Sequence, residues 1–288
     1  MEANFEKSIA DLAPWVGRQR ITEDDMSLSA TRKMAGMLNL DPDQFQRGTA
    51  LPPHWFTMFF AETIEQSQIG ADGHPEPGVV LPTIPLPRRM AAGRRVSMSR
   101  GLRVGELARK VAEVVSIVPK VGRTGNMAIL TMRHTIEADG GEVVAVDEFD
   151  AFYREAVAPG TQSAAATPKP APEGAQWSDR IELSHALVFR YSAITWNAHR
   201  IHYDADYTRG TEGYPDLVQN GGLTMQLILD SALRHNEGQL KSFTARLMRP
   251  LWVGNTVTLE GIRDGDSLDC WARDDEGALC VQMGLEFA

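Results

Sequence analysis

Arg100-Gly101-Leu102-Arg103-Val104-Gly105 recurs as Arg249-Pro250-Leu251-Trp252-Val253-Gly254, identical at four of six positions and 149 residues further on. The flanks of the two copies also match. Around the first, Ala128, Leu130, Met132 and Ile136 alternate with Thr131, Arg133 and Thr135, and Ala138-Asp139-Gly140-Gly141 reads as a hairpin turn. Around the second, strands are expected at 240–248, 255–262, 267–273 and 279–287, where Val281, Met283, Leu285 and Phe287 alternate with polar residues or glycine. A helical stripe precedes each set. Ala30, Met34, Met37 and Leu38 share one face before Pro42, and Met225, Ile228, Leu229, Ala232 and Leu233 follow i, i+3, i+4, i+7, i+8. A helix followed by an antiparallel sheet, given twice, is an α+β plan in which each sheet wraps a helix and the copies form one continuous pseudo-dimer.

The remaining segments divide the chain into 1–155, a linker at 156–180 and 181–288. Residues 46–95 read as loop, since seven of the sixteen prolines fall between Pro52 and Pro87. Long irregular segments of this kind commonly cover a cleft. Residues 156–178 lose periodicity, with Pro159, Pro168, Pro170 and Pro172 among Ala, Ser and Thr. Ile181 to Arg190 reads as strand.

With 43% hydrophobic and 23% charged residues the chain is globular, and its net charge of −9 excludes a nucleic-acid footprint. No stretch is apolar enough to span a membrane, and the acidic start resembles neither a secretory signal nor a transit peptide. Cys270 and Cys280 sit in apolar-alternating stretches and read as reduced, packed thiols of a cytoplasmic protein. The run Arg88, Arg89, Arg94 and Arg95 reads as solvated surface.

Chemistry concentrates between Tyr191 and Gly222. Asn197-Ala198-His199-Arg200-Ile201-His202-Tyr203-Asp204 packs two histidines, an amide, an arginine and an acid together, and Asn220-Gly221-Gly222 opens the second helical stripe. His202 is the candidate general base, because imidazole titrates near neutral pH. Backbone N–H groups at Gly221 and Gly222 would serve an oxyanion, since a helix start has unpaired donors and glycine lets a ligand approach closely. Asn197 can hold water or ligand but accepts no proton at pH 7, so Asp204 is first in line as a helping acid. Removal of such a donor typically costs ~10²–10³ in rate. A metal site of His199 and His202 with Asp204 and Asp206 is the weaker reading, and none is expected.

These residues resemble the MaoC-like (R)-specific enoyl-CoA hydratases and dehydratases, which have a double hot-dog fold. The family's loop places an Asp, then Asn-Pro, then His before the central helix. Here Asn197 stands for the acid, His199-Arg200 for Asn-Pro, and His202 keeps the histidine. This altered loop, together with Arg88-Arg89-Met90-Ala91-Ala92-Gly93-Arg94, Leu102-Arg103-Val104-Gly105 and Arg123-Thr124-Gly125, is similar to a subgroup that includes 3-methylfumaryl-CoA (mesaconyl-C4-CoA) hydratase and itaconyl-CoA hydratase. The mitochondrial hydroxyacyl-thioester dehydratase resembles it too. The resemblance implies a non-catalytic first hot dog, a catalytic second one, and hydration of a branched short-chain dicarboxylic enoyl-CoA. Hydration of other acyl chains, or acyl-CoA binding without turnover, are its alternatives. Arg246 and Arg249 would meet the coenzyme A phosphates, His199 and Arg200 the acyl carboxylate, and Tyr191 the substrate. No cofactor is expected, since the substrate carries its own coenzyme A. The expected partners are that thioester and a second copy in a homodimer of pseudo-dimers, with neither nucleic acid nor membrane.

Overall fold

The computed structural model describes residues 2–122, 125–155 and 168–288. Arg123-Thr124, and residues 156–167 of the linker with Pro159, lie outside the described residues. Five helices are α1 Glu2–Ala10, α2 Leu28–Met37, α3 His185–Ile194, α4 Ala205–Gly210 and α5 Gly221–His235. The strands are β1 Gln19–Asp24, β2 Arg88–Met98, β3 Ala108–Gly122, β4 Gly125–Ala138, β5 Val143–Arg154, β6 Trp177–Glu182, β7 Leu240–Leu247, β8 Thr256–Asp264, β9 Ser267–Arg273 and β10 Leu279–Phe287. Among the described residues they form one antiparallel sheet in the order β1-β3-β4-β5-β2-β7-β10-β9-β8-β6. Adding five to each strand number of the first half gives the second half read from the opposite edge. The duplicated α+β plan is therefore real, and β2 against β7 is the seam, with Arg94 opposite Ala245 and Val96 opposite Phe243.

The repeated hexapeptide does the same job twice. In the first half Leu51 N–H donates to Leu102 O, Val104 N–H to Thr49 O, and Gly105 N–H to Met26 O. In the second, Gln219 N–H donates to Leu251 O, Val253 N–H to Leu217 O, and Gly254 N–H to Leu183 O. Gly105 and Gly254 both have positive φ, 84° and 92°, which glycine alone adopts freely. The hexapeptide thus ties the segment leading into each half's central element to the segment that follows its first strand.

What fills each half differs. α5 is buried continuously from Leu223 to Leu229 and packs on β8, β9 and β10. In the corresponding place the first half has a six-residue 3₁₀ helix, Pro53–Met58, with Trp55 fully buried and stacked on Phe45 at 5.2 Å. Cores from both halves join in one cluster that includes Trp55, Met58, Leu223, Ile228 and Phe243.

Four sequence expectations are corrected. The stretch read as strand to Arg190 leaves the sheet at Glu182, and α3 begins at His185. Ser184 caps that helix by accepting from Leu187 N–H at 3.2 Å, and Leu187, Val188, Tyr191 and Ile194 face inward at helical spacing. The loop read to residue 95 gives way to β2 at Arg88, straight after the last proline of the run. Within it, Arg94 is not solvated surface. It forms a two-point bond to the fully buried Asp147 at 2.8 and 2.6 Å, which holds that carboxyl well below its usual range although burial alone would raise it. β6 also begins at Trp177, inside the span read as linker, because the indole N–H reaches Ser231 on α5 at 3.3 Å. Cys270 and Cys280 are buried free thiols, as expected, and burial pushes both up to about 12.

Candidate active site

α3 ends at Thr195, and Trp196 turns the chain with φ 55°. The side-chain carbonyl of Asn197 then accepts from His199 N–H at 3.0 Å, and Asn197 N–H donates to Ser192 O at 2.8 Å. The amide oxygen is therefore spent on shaping the loop, and only the NH₂ group remains to meet a ligand. A short 3₁₀ turn, Arg200–His202, follows.

His202 is fixed from α5's side of the site. Its Nδ1 lies 2.6 Å from Val218 O, and Val218 N–H donates back to Ile201 O at 2.9 Å. A carbonyl only accepts, so Nδ1 carries the proton and Nε2 presents a lone pair. Burial, set against that carbonyl bond and joined by the charge of His74, pushes the imidazole down to about 4. His202 is thus neutral at pH 7, the state a general base needs.

Two residues further along the Val218 segment, α5 starts. Asn220 is the N-cap residue, with no side-chain cap bond, and its Nδ2 is buried without a partner among the described residues. Gly221 and Gly222 occupy the first turn, as expected. Both are tightly fitted: a Cβ on Gly222 would fall 2.5 Å from the Tyr191 hydroxyl, and one on Gly221 would strike the Leu247 side chain. Glycine here keeps the helix start bare and close-packed.

Several side chains expected at the site have other work. Tyr191 is 6% exposed, its hydroxyl raised to about 12 by burial, so it supports the glycine turn from beneath instead of facing a ligand. Arg200 donates from Nε and Nη2 to Asp204 at 3.0 and 2.7 Å and from Nη1 to Ala71 O at 2.9 Å, over the Tyr207 ring. Its fork is fully used. Asp204 in turn caps α4 by accepting from Tyr207 N–H at 3.0 Å, and those bonds lower its carboxyl, which makes it a poor acid. Arg246 is exposed on β7, and Arg249 sits 3.7 Å from Asp274.

One pair was missed by sequence reasoning. Asp72 and His74, from the proline-rich segment of the first half, lie against the loop: the His74 and His199 rings are 4.1 Å apart, and His199 meets His202 edge-on at 5.6 Å. Burial foremost, then the charges of His74 and His202, pushes His199 down to about 3. Asp72, His74 and His199 place donor atoms within 4.8 Å of one another, so a metal ion could be reached here, not by His199 and His202 with Asp204 and Asp206. The only hint in the sequence was a histidine two residues after an acid, within a long segment of the kind that covers clefts.

Comparison with known proteins follows the same lines. The family model described as hydroxyacyl-thioester dehydratase type 2 matches residues 54–253. The chain is 35% identical to the mesaconyl-C(4)-CoA hydratase of Chloroflexus aurantiacus, over 97% of this chain and 99% of that one. It is 37% identical to the mitochondrial hydroxyacyl-thioester dehydratase type 2 of Schizosaccharomyces pombe over a quarter of each chain. Among solved structures, a MaoC-like dehydratase from Phytophthora capsici superposes with a TM-score of 0.71 at 14% identity, covering 97% of this chain and 98% of that one. A Mycobacterium tuberculosis protein described as a double hotdog fold gives 0.57 at 14% identity, with 97% of each chain covered. At such identities the likeness establishes the fold, a double hot dog.

Proposed function

The chain belongs to the hydroxyacyl-thioester dehydratase type 2 family of MaoC-like hydratases and dehydratases, and we propose that it adds water reversibly to a branched, C5 dicarboxylic enoyl-CoA. Mesaconyl-C4-CoA or itaconyl-CoA would give citramalyl-CoA. The observation that carries this reading is the neutral His202 imidazole, held by Val218 O beside the bare first turn of α5.

In the hydration direction Nε2 of His202 takes a proton from water as the oxygen bonds to Cβ. The displaced π electrons move to the thioester oxygen, where the N–H groups of Gly221 and Gly222 and the free Nδ2 of Asn220 stabilise the enolate. A proton then reaches Cα. Arg246 and Arg249 would meet the coenzyme A phosphates, and no separate cofactor is needed. The chain acts in the cytoplasm, as a homodimer of pseudo-dimers. No helix among the described residues is long and apolar enough to cross a membrane.

The substrate preference follows the relative that matches along the whole chain, ahead of the dehydratase that matches a quarter of it. A panel of enoyl-CoAs, read by loss of the conjugated thioester absorbance, tests it. Turnover fastest with mesaconyl-C4-CoA or itaconyl-CoA is expected. A preference for unbranched monocarboxylic enoyl-CoAs would move the assignment to the wider family activity, and thioester binding without turnover would remove it.

A further inference from the structure

We propose that the first half is part of the reaction centre, with His74, backed by Asp72, as the group that delivers the proton to Cα. This rests on the hydratase reading, in which the proton for Cα comes either back from His202 or from a second group. Asn197 cannot supply it, and Asp204 is committed to Arg200 and to the α4 cap.

The loop carrying the pair is fixed to the active-site loop at several points. Arg200 N–H donates to Asp72 O at 2.8 Å, and Arg200 Nη1 donates to Ala71 O at 2.9 Å. Gly73, at φ 90°, lies so close to Ala198 that any Cβ would collide with the Ala198 carbonyl. Within the loop, Asp72 accepts from His74 N–H at 2.9 Å through one oxygen and lies 3.2 Å from His74 Nδ1 through the other. Burial raises the Asp72 carboxyl, yet those His74 bonds outweigh it and leave the group at about 2, an anion across the working range. An anionic acceptor fixes the proton on Nδ1 and aligns Nε2 for transfer, as the aspartate of a catalytic triad does. The His74 side chain is 33% exposed, open to ligand and solvent.

The protons balance. His202 Nε2 gains one from water as the C–O bond forms at Cβ. The enolate takes one from the His74 imidazolium as the C–H bond forms at Cα. Return of the proton from His202 to His74, through His199 or solvent, restores the starting state, and one water has been added. The charged and titratable groups around His74 are Asp72 on its own loop, His199, His202 and Arg200 on the active-site loop, Tyr207 on α4 and Arg89 on β2, the last acting through its charge on His199. A metal ion is the rival use of this cluster. Against it, both Asp72 oxygens already face His74, and the two imidazoles pack ring against ring instead of edge-on around a common point.

The test uses His74→Gln and Asp72→Asn in the full chain, with His202→Ala beside them. Readouts are kcat and KM against pH for mesaconyl-C4-CoA hydration, and exchange of the citramalyl-CoA Cα hydrogen with solvent deuterium. Expected for His74→Gln is a loss of roughly 10²-fold or more in kcat, KM within about threefold, and loss of Cα exchange. Asp72→Asn should lose less, and His202→Ala should stop water addition while Cα exchange continues. Wild-type kcat and exchange in His74→Gln would overturn the assignment while leaving the hydratase reading intact. So would activity abolished by a chelator and restored by zinc, with metal content lost in His74→Gln. A wild-type chain that hydrates none of the enoyl-CoAs overturns both.

Discussion

The two halves share a backbone scaffold and differ where the central element of each begins. Ala50 pairs with Arg103 and Val218 with Trp252 in equivalent bridges, and the next residue in each half donates to an equivalent leucine carbonyl. That register sets Pro52-Pro53 against Asn220-Gly221. Proline has no N–H, so Pro52 and Pro53 offer no donor at the positions of Asn220 and Gly221, and His54 stands where the second half has Gly222 in the first turn of a 15-residue helix. The first half also lacks a His202 equivalent between α2 and this point. Duplication gave two scaffolds; the helix start of the second leaves its first backbone N–H groups bare, whereas the matching segment of the first buries His54 3.2 Å from Asp230 and 2.9 Å from Gln226 on α5.

The comparison can be broken most sharply at His202. His202→Ala should lower kcat/KM for hydration by about 10²–10⁴-fold with the fold retained, measured by loss of thioester absorbance. Arg94→Ala tests the structural half by stability instead. It leaves the buried Asp147 with only His134, 3.5 Å away, facing it, and should cost about 3–5 kcal/mol in denaturant unfolding. Gly222→Ala forces a methyl onto the Tyr191 hydroxyl, so a loss of about 1–3 kcal/mol is expected together with reduced activity. Asn197→Ala removes a turn acceptor, not a proton carrier, so about 0.5–2 kcal/mol of loop stability is at stake. Asn197→Asp, which keeps the acceptor, should retain most activity in the same assay.

The smallest expected effect is on pH dependence. Folded His202 and His199 sit near 4 and 3 against 6.5 for the free side chain. The unfolded chain therefore binds more protons as pH falls below about 6.5, and stability declines with acidification until the folded values are passed. Melting temperatures from pH 7.5 to 4 should fall, and His202→Gln should flatten the slope. A slope unchanged in that variant would mean that His202 is not buried neutral.

Much of this was legible in the chain. The strands of the second half are local alternations, and the observed β7, β8, β9 and β10 lie within one or two residues of their expected bounds. His202 and Gly221-Gly222 were readable because their relation to α5 is set by nearby residues. α3 was misread because its apolar residues are too short a run to separate strand from helix without the Ser184 cap. Arg200 and Asp204 look available in the sequence because their mutual bond and the α4 cap exist only in the folded chain.

The duplicated sheet, the family and the glycine turn could be read from the chain alone, since periodicity, repeat spacing and loop order are properties of neighbouring residues. Which side chains already have partners emerged only in the folded chain. Asp72 and His74 reach His199 from far along the chain because packing of the first half's proline-rich loop onto the second half brings them there. Burial and hydrogen-bond satisfaction depend on such long-range contacts, and no local pattern encodes them.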